Sequence, residues 1–362
     1  MPDLYIGLMS GTSLDGIDAV IAAFDAAPRM VHSHYQPFQP LIRDTLLALN
    51  DTGRDEIHRA ALAANQLSQS YAAAIRTLLA QAGLSVRDIA AIGCHGQTVR
   101  HWPDAGYTTQ LVNGALLAEL TGIATVCDFR SRDIAAGGQG APLVPAFHHA
   151  VFHSAGAHRA IVNIGGIANI TDLPPAGEVR GFDCGPGNVL MDEWIMESRG
   201  LAYDEGGAWA ASGRVIAPLL DTLLAHAFFK LTPPKSTGRD TFNFAWVKRA
   251  LAGTETPADV QATLLELTAL GIAQAIQKHC TGAREVYVCG GGARNLALLA
   301  RLAALMVDKH VGFTDQLGVV ADWVEALAFA WLARQTLANK PGNLPAVTGA
   351  KGLRVLGAIY PA

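Results

Sequence analysis

"GLMSGTSLDGIDAV", residues 7–20, sets glycine, hydroxyl and acidic residues between two apolar runs. Such a turn behind a strand has the chemistry of a phosphate-binding loop. Glycine lets the main chain approach a ligand closely, and consecutive N–H groups form a concavity that binds anions. The stretch has no lysine and does not follow the G-x-x-x-x-G-K-[ST] pattern. Outward from it, "LYIGLM" (4–9), "IDAVIAAF" (17–24) and "MVHSHYQPF" (30–38) read as three short strands. A helical stretch rich in Ala, Leu and Gln follows at 55–82, then a buried strand, "AAIGCH" (90–95), ending at "GQT". "YTTQLV" and "ATVCDF" are further strand candidates around the helix-like "GALLAELT".

A second cycle begins near Arg159: "RAIVNIGG", "IANITDL" and "EVRGFDCG" again give strand, glycine turn, strand, turn, strand. Helices are expected at about 187–199, 213–229, 257–280 and 293–306, with the strand "EVYVCGGG" (285–292) between the last two. A Gly/Pro-containing loop (339–352) leads to a final strand, "LRVLGAIYP". The shared order predicts an α/β chain of two similar halves, 1–132 and 133–339, with 340–362 packing back on the first. Open α/β sheets bind ligands beyond the carboxyl ends of their strands, so the glycine turns are expected to line an interdomain cleft.

The bulk composition excludes several classes. Half of the 362 residues are hydrophobic and 16% charged, with a net charge of −4, which argues against nucleic-acid or membrane-surface partners held by charge. Five cysteines without a C-x-x-C pair suggest a reduced, cytoplasmic chain. The N-terminal "MPDLYIGLM" lacks the features of a signal peptide, and no apolar run has the length of a spanning helix.

Three glycine turns each follow an apolar strand: "GLMSGTSLDG", "NIGGIANIT" and "CGGGARN". Any one alone reads as structural, since glycine is the ordinary turn residue. Their order resembles the actin, hexokinase and sugar-kinase superfamily, whose ribonuclease-H-like domains hold ATP through two phosphate loops and an adenosine loop. That superfamily commonly has an aspartate in each phosphate loop; here Met9 and Asn163 stand at those places. Asp15 and Asp18 could take over charge handling.

With "MSGTSLDGID", "GCHGQTVRH", "DFRSRDIAAGGQGAPLVP", "GFDCGPGNVLMD" and "PPKSTGRDTFN" in register as well, the chain resembles the anhydro-N-acetylmuramic acid kinases of bacterial cell-wall recycling over nearly its whole length. The resemblance implies ATP-dependent opening of the 1,6-anhydro ring and phosphorylation of the released 6-hydroxyl. The product would be N-acetylmuramic acid 6-phosphate, with ADP released. It also implies Mg2+ carried mainly by nucleotide and water, domain closure, and a homodimer. Gly11, Thr12, Ser13, Leu14, Asp15, Gly16, Ile17 and Asp18 would hold ATP in the first half. Asn163, Gly165, Gly166, Gly290, Gly291 and Gly292 would do so in the second.

Ring opening needs a carboxylate to activate water, whereas the departing oxygen is captured by phosphorus, so one acid suffices. Asp183, before a glycine turn, is the candidate base, and the resemblance points to the same position; the competing reading is a cap for the helix near Asn188. Thr98 suits a sugar hydroxyl or carboxylate. Arg130 suits the lactyl carboxylate because guanidinium binds carboxylates bidentately, with Arg132 its competitor. Glu325, in an otherwise apolar helix, is either a substrate ligand or a satisfied structural acid. His95 is either a base or a hydrogen-bonded structural group. Lys235 and Ser236 lie in a polar loop near the site. His149 and His153, one helical turn apart, have no third metal ligand and read as a helix surface. Cys184 reads as packing. The rivals are an ordinary sugar kinase, for which Asp183 would equally serve, and an ATP-driven chaperone-like switch, for which the chain has no evident peptide-binding region.

Overall fold

The computed structural model describes residues 4–11, 13–25, 28–239 and 241–362. The chain divides into two units, Met1–Val151 with Trp323–Ala362, and Phe152–Asp322. The first unit thus takes in residues 133–151 and 323–339 as well as 340–362. It begins with β1 (Leu4–Met9), β2 (Gly16–Ala23), β3 (Arg29–Pro37), α1 (Pro40–Ala48), α2 (Glu56–Ala82) and β4 (Ile89–Cys94). It continues through β5 (Gln97–Trp102), β6 (Tyr107–Leu111), α3 (Gly114–Thr121), β7 (Thr125–Cys127), α4 (Ser131–Ala135) and α5 (Val144–Phe152). The second unit begins with β8 (Arg159–Ile164), β9 (Ile167–Leu173), β10 (Arg180–Pro186), α6 (Val189–Arg199), α7 (Ala208–Ser212) and α8 (Ala217–Leu224). Then come α9 (Phe244–Ala250), α10 (Pro257–His279), β11 (Glu285–Cys289), α11 (Leu296–Leu305) and β12 (His310–Phe313). The chain returns to the first unit with α12 (Val324–Leu337), α13 (Pro345–Thr348) and β13 (Ala358–Tyr360).

Apart from the two-stranded β5-β6 sheet, the described strands form two larger sheets that share a strand order. It is β3-β2-β1-β4-β7 in the first unit, with β13 added beyond β7, and β10-β9-β8-β11-β12 in the second. The first three strands of each form an antiparallel meander. The next two run parallel to the first. This is the mixed α/β, two-sheet architecture expected from the sequence. Parallel pairing places the glycine turns: Leu8 lies opposite Cys94, and Asn163 opposite Cys289. The turns that follow each pair therefore leave their sheet at the same end.

Helix α2 buries Leu67, Tyr71, Ile75 and Leu78, spaced along one face, against Ile6, Leu8, Ile21 and Ile92 of the sheet. Each such side chain contributes roughly 1.5–3 kcal/mol on burial. The helix stops at Gly83, whose φ of 65° favours glycine. Helix α12 lies on the same sheet for a different reason. Gly7 and Gly93 are register partners on β1 and β4. A Cβ on either would collide with the α12 main chain, at Ala326 or Phe329. Two absent side chains thus make the groove that seats the helix carrying Glu325.

Three local expectations change. The helix expected at 213–229 is reduced to α8 and a short 3-10 turn at Ala227–Lys230. Gly213 abuts the Ala258 carbonyl, and Pro218 can start a helix but not continue one. The final strand shrinks to Ala358–Tyr360, paired with β7. Helix α5 ends at Phe152, so His153 lies outside it and bonds the Pro174 carbonyl at 3.1 Å. His149 and His153 are therefore not a helical pair.

Candidate active site

The first glycine turn is held from below by neighbouring main chain. Gln97 Nε2 donates to Gly11 O at 3.1 Å, and Ser10 Oγ donates to Gly96 O at 3.1 Å and bonds Tyr71 Oη at 2.8 Å. Ser13 Oγ donates to Asp15 Oδ1 at 2.5 Å, and both side chains are exposed. Leu14 and Ile17 are buried core side chains, so only their main chain is available to a ligand. Leu14 adopts φ 56°, the left-handed region, which closes the turn back on Gly11. A Cβ on Gly11 would meet nothing closer than Ser13 Oγ at 3.5 Å, whereas Gly16 is pressed against Gln36 and Tyr35. Asp18 pairs with Met9 across the hairpin. Thr12 lies outside the described residues.

Beside this turn, in the same unit, the buried His95 and the half-buried Arg130 form a polar group. His95 Nδ1 lies 3.3 Å from Ser10 O, and Arg130 Nη2 and Nε lie 2.9 Å and 3.3 Å from His95 Nε2. Arg130 Nη1 donates to Gly140 O at 2.9 Å. Burial, and then the guanidinium, pull the His95 pKa down to about 3. Burial also pulls Arg130 down to about 10, opposed by the carboxylates of Glu325 and Asp133, so it stays charged. Three of its five N–H groups are engaged, which leaves two for a carboxylate. Arg132 follows in α4.

Thr98 has an oriented hydroxyl. Thr108 Oγ1 donates to Arg100 O at 3.2 Å, so it can only accept from Gln110 Nε2 at 2.7 Å. That fixes the Gln110 amide, whose Nε2 also donates to Thr98 Oγ1 at 3.2 Å. The Thr98 hydrogen is left to donate elsewhere. Glu325, half-buried, sits in the first turn of α12, where the helix dipole favours an acid.

Sequence reasoning missed Asp133, which is fully buried. Its Oδ2 accepts from Gly140 N at 2.8 Å, and its Oδ1 from Asn343 Nδ2 at 2.7 Å and Thr348 Oγ1 at 2.8 Å. This clamp shapes the loop that carries Arg130. The signal was an acid within an otherwise small and apolar stretch, "RDIAAGGQGAP".

In the second unit the β8–β9 and β11–α11 turns are packed together. Asn163 is buried, and its Oδ1 accepts from Cys289 Sγ at 3.8 Å. A Cβ on Gly290, where φ is 80°, would strike Asn163 Oδ1, and one on Gly292 would strike Ile164. The Gly165 and Gly166 carbonyls accept from Asn188 N and Gly187 N at 2.8 Å and 2.9 Å, which joins them to the start of α6. Gly291 keeps open space, its nearest neighbour being Asn188 Nδ2 at 3.8 Å.

Asp183 lies inside β10 rather than at its end, beside a register shift between Asp183 and Gly185. Such bulges re-aim side chains. It does not cap α6, since Asn188 holds the cap position, with no side-chain capping bond. Its Oδ2 accepts from Thr237 N at 2.9 Å, and its own N–H donates to Lys235 O at 3.1 Å. Burial pushes its pKa up to about 7, against the opposing pull of the Thr237 N–H and Lys235. Lys235 Nζ lies 4.4 Å from the Phe228 ring centroid, and its pKa is lowered, first by burial. Ser236 is exposed. Burial pushes the Cys184 thiol up, and its S–H donates to Ala168 O at 3.2 Å, so it packs as a neutral thiol.

Among the described residues no three His, Cys, Asp or Glu side chains could together hold a metal ion. Those residues therefore offer no cage of their own for Mg2+. No helix among them is long and apolar enough to cross a membrane.

A sequence model for the family described as anhydro-N-acetylmuramic acid kinase matches residues 3–362. A protein of that name from Nitrosospira multiformis is 59% identical, covering 99% of each chain. One from Nitrosomonas europaea is 56% identical over the same shares. Among solved structures, (R)-2-hydroxyglutaryl-CoA dehydratase component A from Acidaminococcus fermentans aligns with a TM-score of 0.51, covering 93% of this chain and 99% of that one. At 14% identity it is a likeness of fold alone. A match over the whole length, together with two relatives above half identity, means that this chain belongs to the anhydro-N-acetylmuramic acid kinase family.

Proposed function

We propose that this protein hydrolytically opens the 1,6-anhydro ring of 1,6-anhydro-N-acetylmuramic acid and transfers the γ-phosphoryl group of ATP to O6. The products are N-acetylmuramic acid 6-phosphate and ADP. The observation that carries this reading is the full-length likeness to relatives of that name. In the proposed reaction Asp183 takes a proton from water as the water oxygen bonds to C1. The C1–O6 bond breaks and O6 accepts the phosphoryl group, so no acid is needed to protonate it. A carboxyl whose pKa is raised to about 7 is well matched to this proton transfer, being ionised enough to act and basic enough to take the proton. Thr98 donates to the sugar, Arg130 takes the lactyl carboxylate through its two spare N–H groups, and Glu325 accepts from a hydroxyl or the amide. Main-chain groups at Gly11–Asp18, Asn163–Gly166 and Gly290–Gly292 bind the nucleotide.

The nucleotide's phosphates and water would carry Mg2+, which would neutralise charge during the transfer. A cytoplasmic homodimer is part of the same reading; light scattering on the purified protein tests the dimer. The deciding experiment is mass balance. Incubation with ATP and the anhydro sugar should yield a product heavier by one water and one phosphoryl group. Phosphorylation without uptake of water would instead make this an ordinary sugar kinase.

A further inference from the structure

Both ring nitrogens of His95 are engaged, and their partners leave no choice of roles. Ser10 O can only accept, so Nδ1 must carry the hydrogen. A guanidinium can only donate, so Nε2 must be an unprotonated acceptor for Arg130. The ring is 5% exposed and lies 4.7 Å from the Phe329 ring, centroid to centroid. Its own main-chain N–H donates to Leu8 O at 3.0 Å. With no free lone pair and no room for a second proton beside a cation, His95 cannot serve as a base. On the other side Gly140 O takes Arg130 Nη1, so the guanidinium is gripped at two edges.

We infer that His95 is a positioning residue for substrate recognition: it ties the orientation of Arg130 to Ser10, at the mouth of the first glycine turn. The inference rests on the reading of Arg130 as the carboxylate ligand. Its consequence is specific: the grip on an anionic sugar depends on the turn assigned to the nucleotide, through one imidazole. A histidine that merely filled space would be indifferent to which ring nitrogen position was kept.

Two isosteric substitutions separate those cases. In His95→Asn the side-chain amide nitrogen can replace Nδ1, but nothing replaces Nε2. In His95→Gln the amide oxygen falls near Nε2 and can accept from Arg130. The expected result for His95→Asn is a KM for 1,6-anhydro-N-acetylmuramic acid raised roughly 10-fold or more, the effect of a loosened charged partner. The KM for ATP should move far less, and His95→Gln should recover most of the loss. With 1,6-anhydro-N-acetylglucosamine, which lacks the lactyl carboxylate, the two variants should turn over alike. Equal increases for the acidic sugar in both variants, or a parallel rise in the KM for ATP, would overturn the inference.

A measurement on the unaltered protein keeps it testable if a variant does not fold. Imidazole 15N NMR should place the His95 hydrogen on Nδ1 and leave Nε2 bare; the opposite tautomer refutes the contact itself. Absence of turnover by wild type on the anhydro sugar would remove the proposed function, while the NMR result would still decide the His95–Arg130 contact.

Discussion

β3 and β10 hold the same place in two sheets of the same order, each being the third strand of a meander, yet they are used differently. Most of β3 is half-exposed, with an open outer edge. β10 is largely buried, beside α10 and the 227–230 turn, and its edge bonds to Lys235 and Thr237. The strand that is covered is the one with the bulge and the acid. Burial is what raises Asp183 towards neutrality, and a carboxylate at the matching place on β3 would remain an ordinary surface acid. The two sheets share a strand order, and the proposed base stands on the drier of the two third strands.

The sharpest attempt to break this contrast is Asp183→Asn set beside His34→Gln on β3. The first should lower kcat by about 10²–10⁴, the usual share of a general base, while Asn can still accept from Thr237. The second, on a half-exposed strand, should stay within about twofold. ADP release with anhydro sugar present measures both, and equal losses would abolish the distinction. The pH profile follows in size. An acid raised to about 7 is protonated below that pH and cannot take a proton from water. kcat/KM should therefore fall about tenfold per pH unit below 7, and a profile flat down to pH 5 would assign the base elsewhere.

The glycine turns extend the comparison. A Cβ at Gly187 would strike the Gly165 carbonyl, a main-chain atom, whereas one at Gly11 has space. Gly187→Ala should cost about 1–3 kcal/mol, read in a denaturant titration. Gly11→Ala should leave stability nearly unchanged and raise the KM for ATP. A reversal of these two outcomes would mean that the first turn is structural and the second adaptable. The smallest effect concerns stability. The folded-state pKa of Asp183 lies above its unfolded value, so the proton stabilises the fold at low pH and this contribution is lost as pH rises through about 7. Asp183→Asn should accordingly unfold about 2 °C or more above wild type at pH 8–9, with the gain shrinking towards pH 4; calorimetry at several pH values checks the trend.

The strands, the long helices and the glycine turns were legible in the sequence because each is a local pattern: apolar runs, 3.6-residue spacing, glycine after a strand. Asp183 was legible as an acid before a glycine turn, but its bulge, set by pairing with β9, and its bond to Thr237 N, from a loop more than 50 residues on, were not. Gly7 and Gly93 looked like ordinary strand residues; only the approach of α12 shows why a side chain there is excluded. His95 could not be read either, because its protonation is set by Arg130 and Ser10, distant in sequence. What escaped reading is what long-range contact decides.

The Asp133 clamp gives the C-terminal stretch a role beyond closing the sheet. Two of the three donors to this buried carboxylate, Asn343 and Thr348, follow α12, and Gly140 supplies the third. Removal of the chain beyond α12 would thus release the loop from Arg130 to Gly140 together with the buried Val347, Ala350 and Leu356. Each lost donor would cost roughly 1–3 kcal/mol. The residues after α12 act as a strut for that loop, and under the proposed role of Arg130 a change confined to Asn343 or Thr348 would register first as a weaker hold on the acidic sugar.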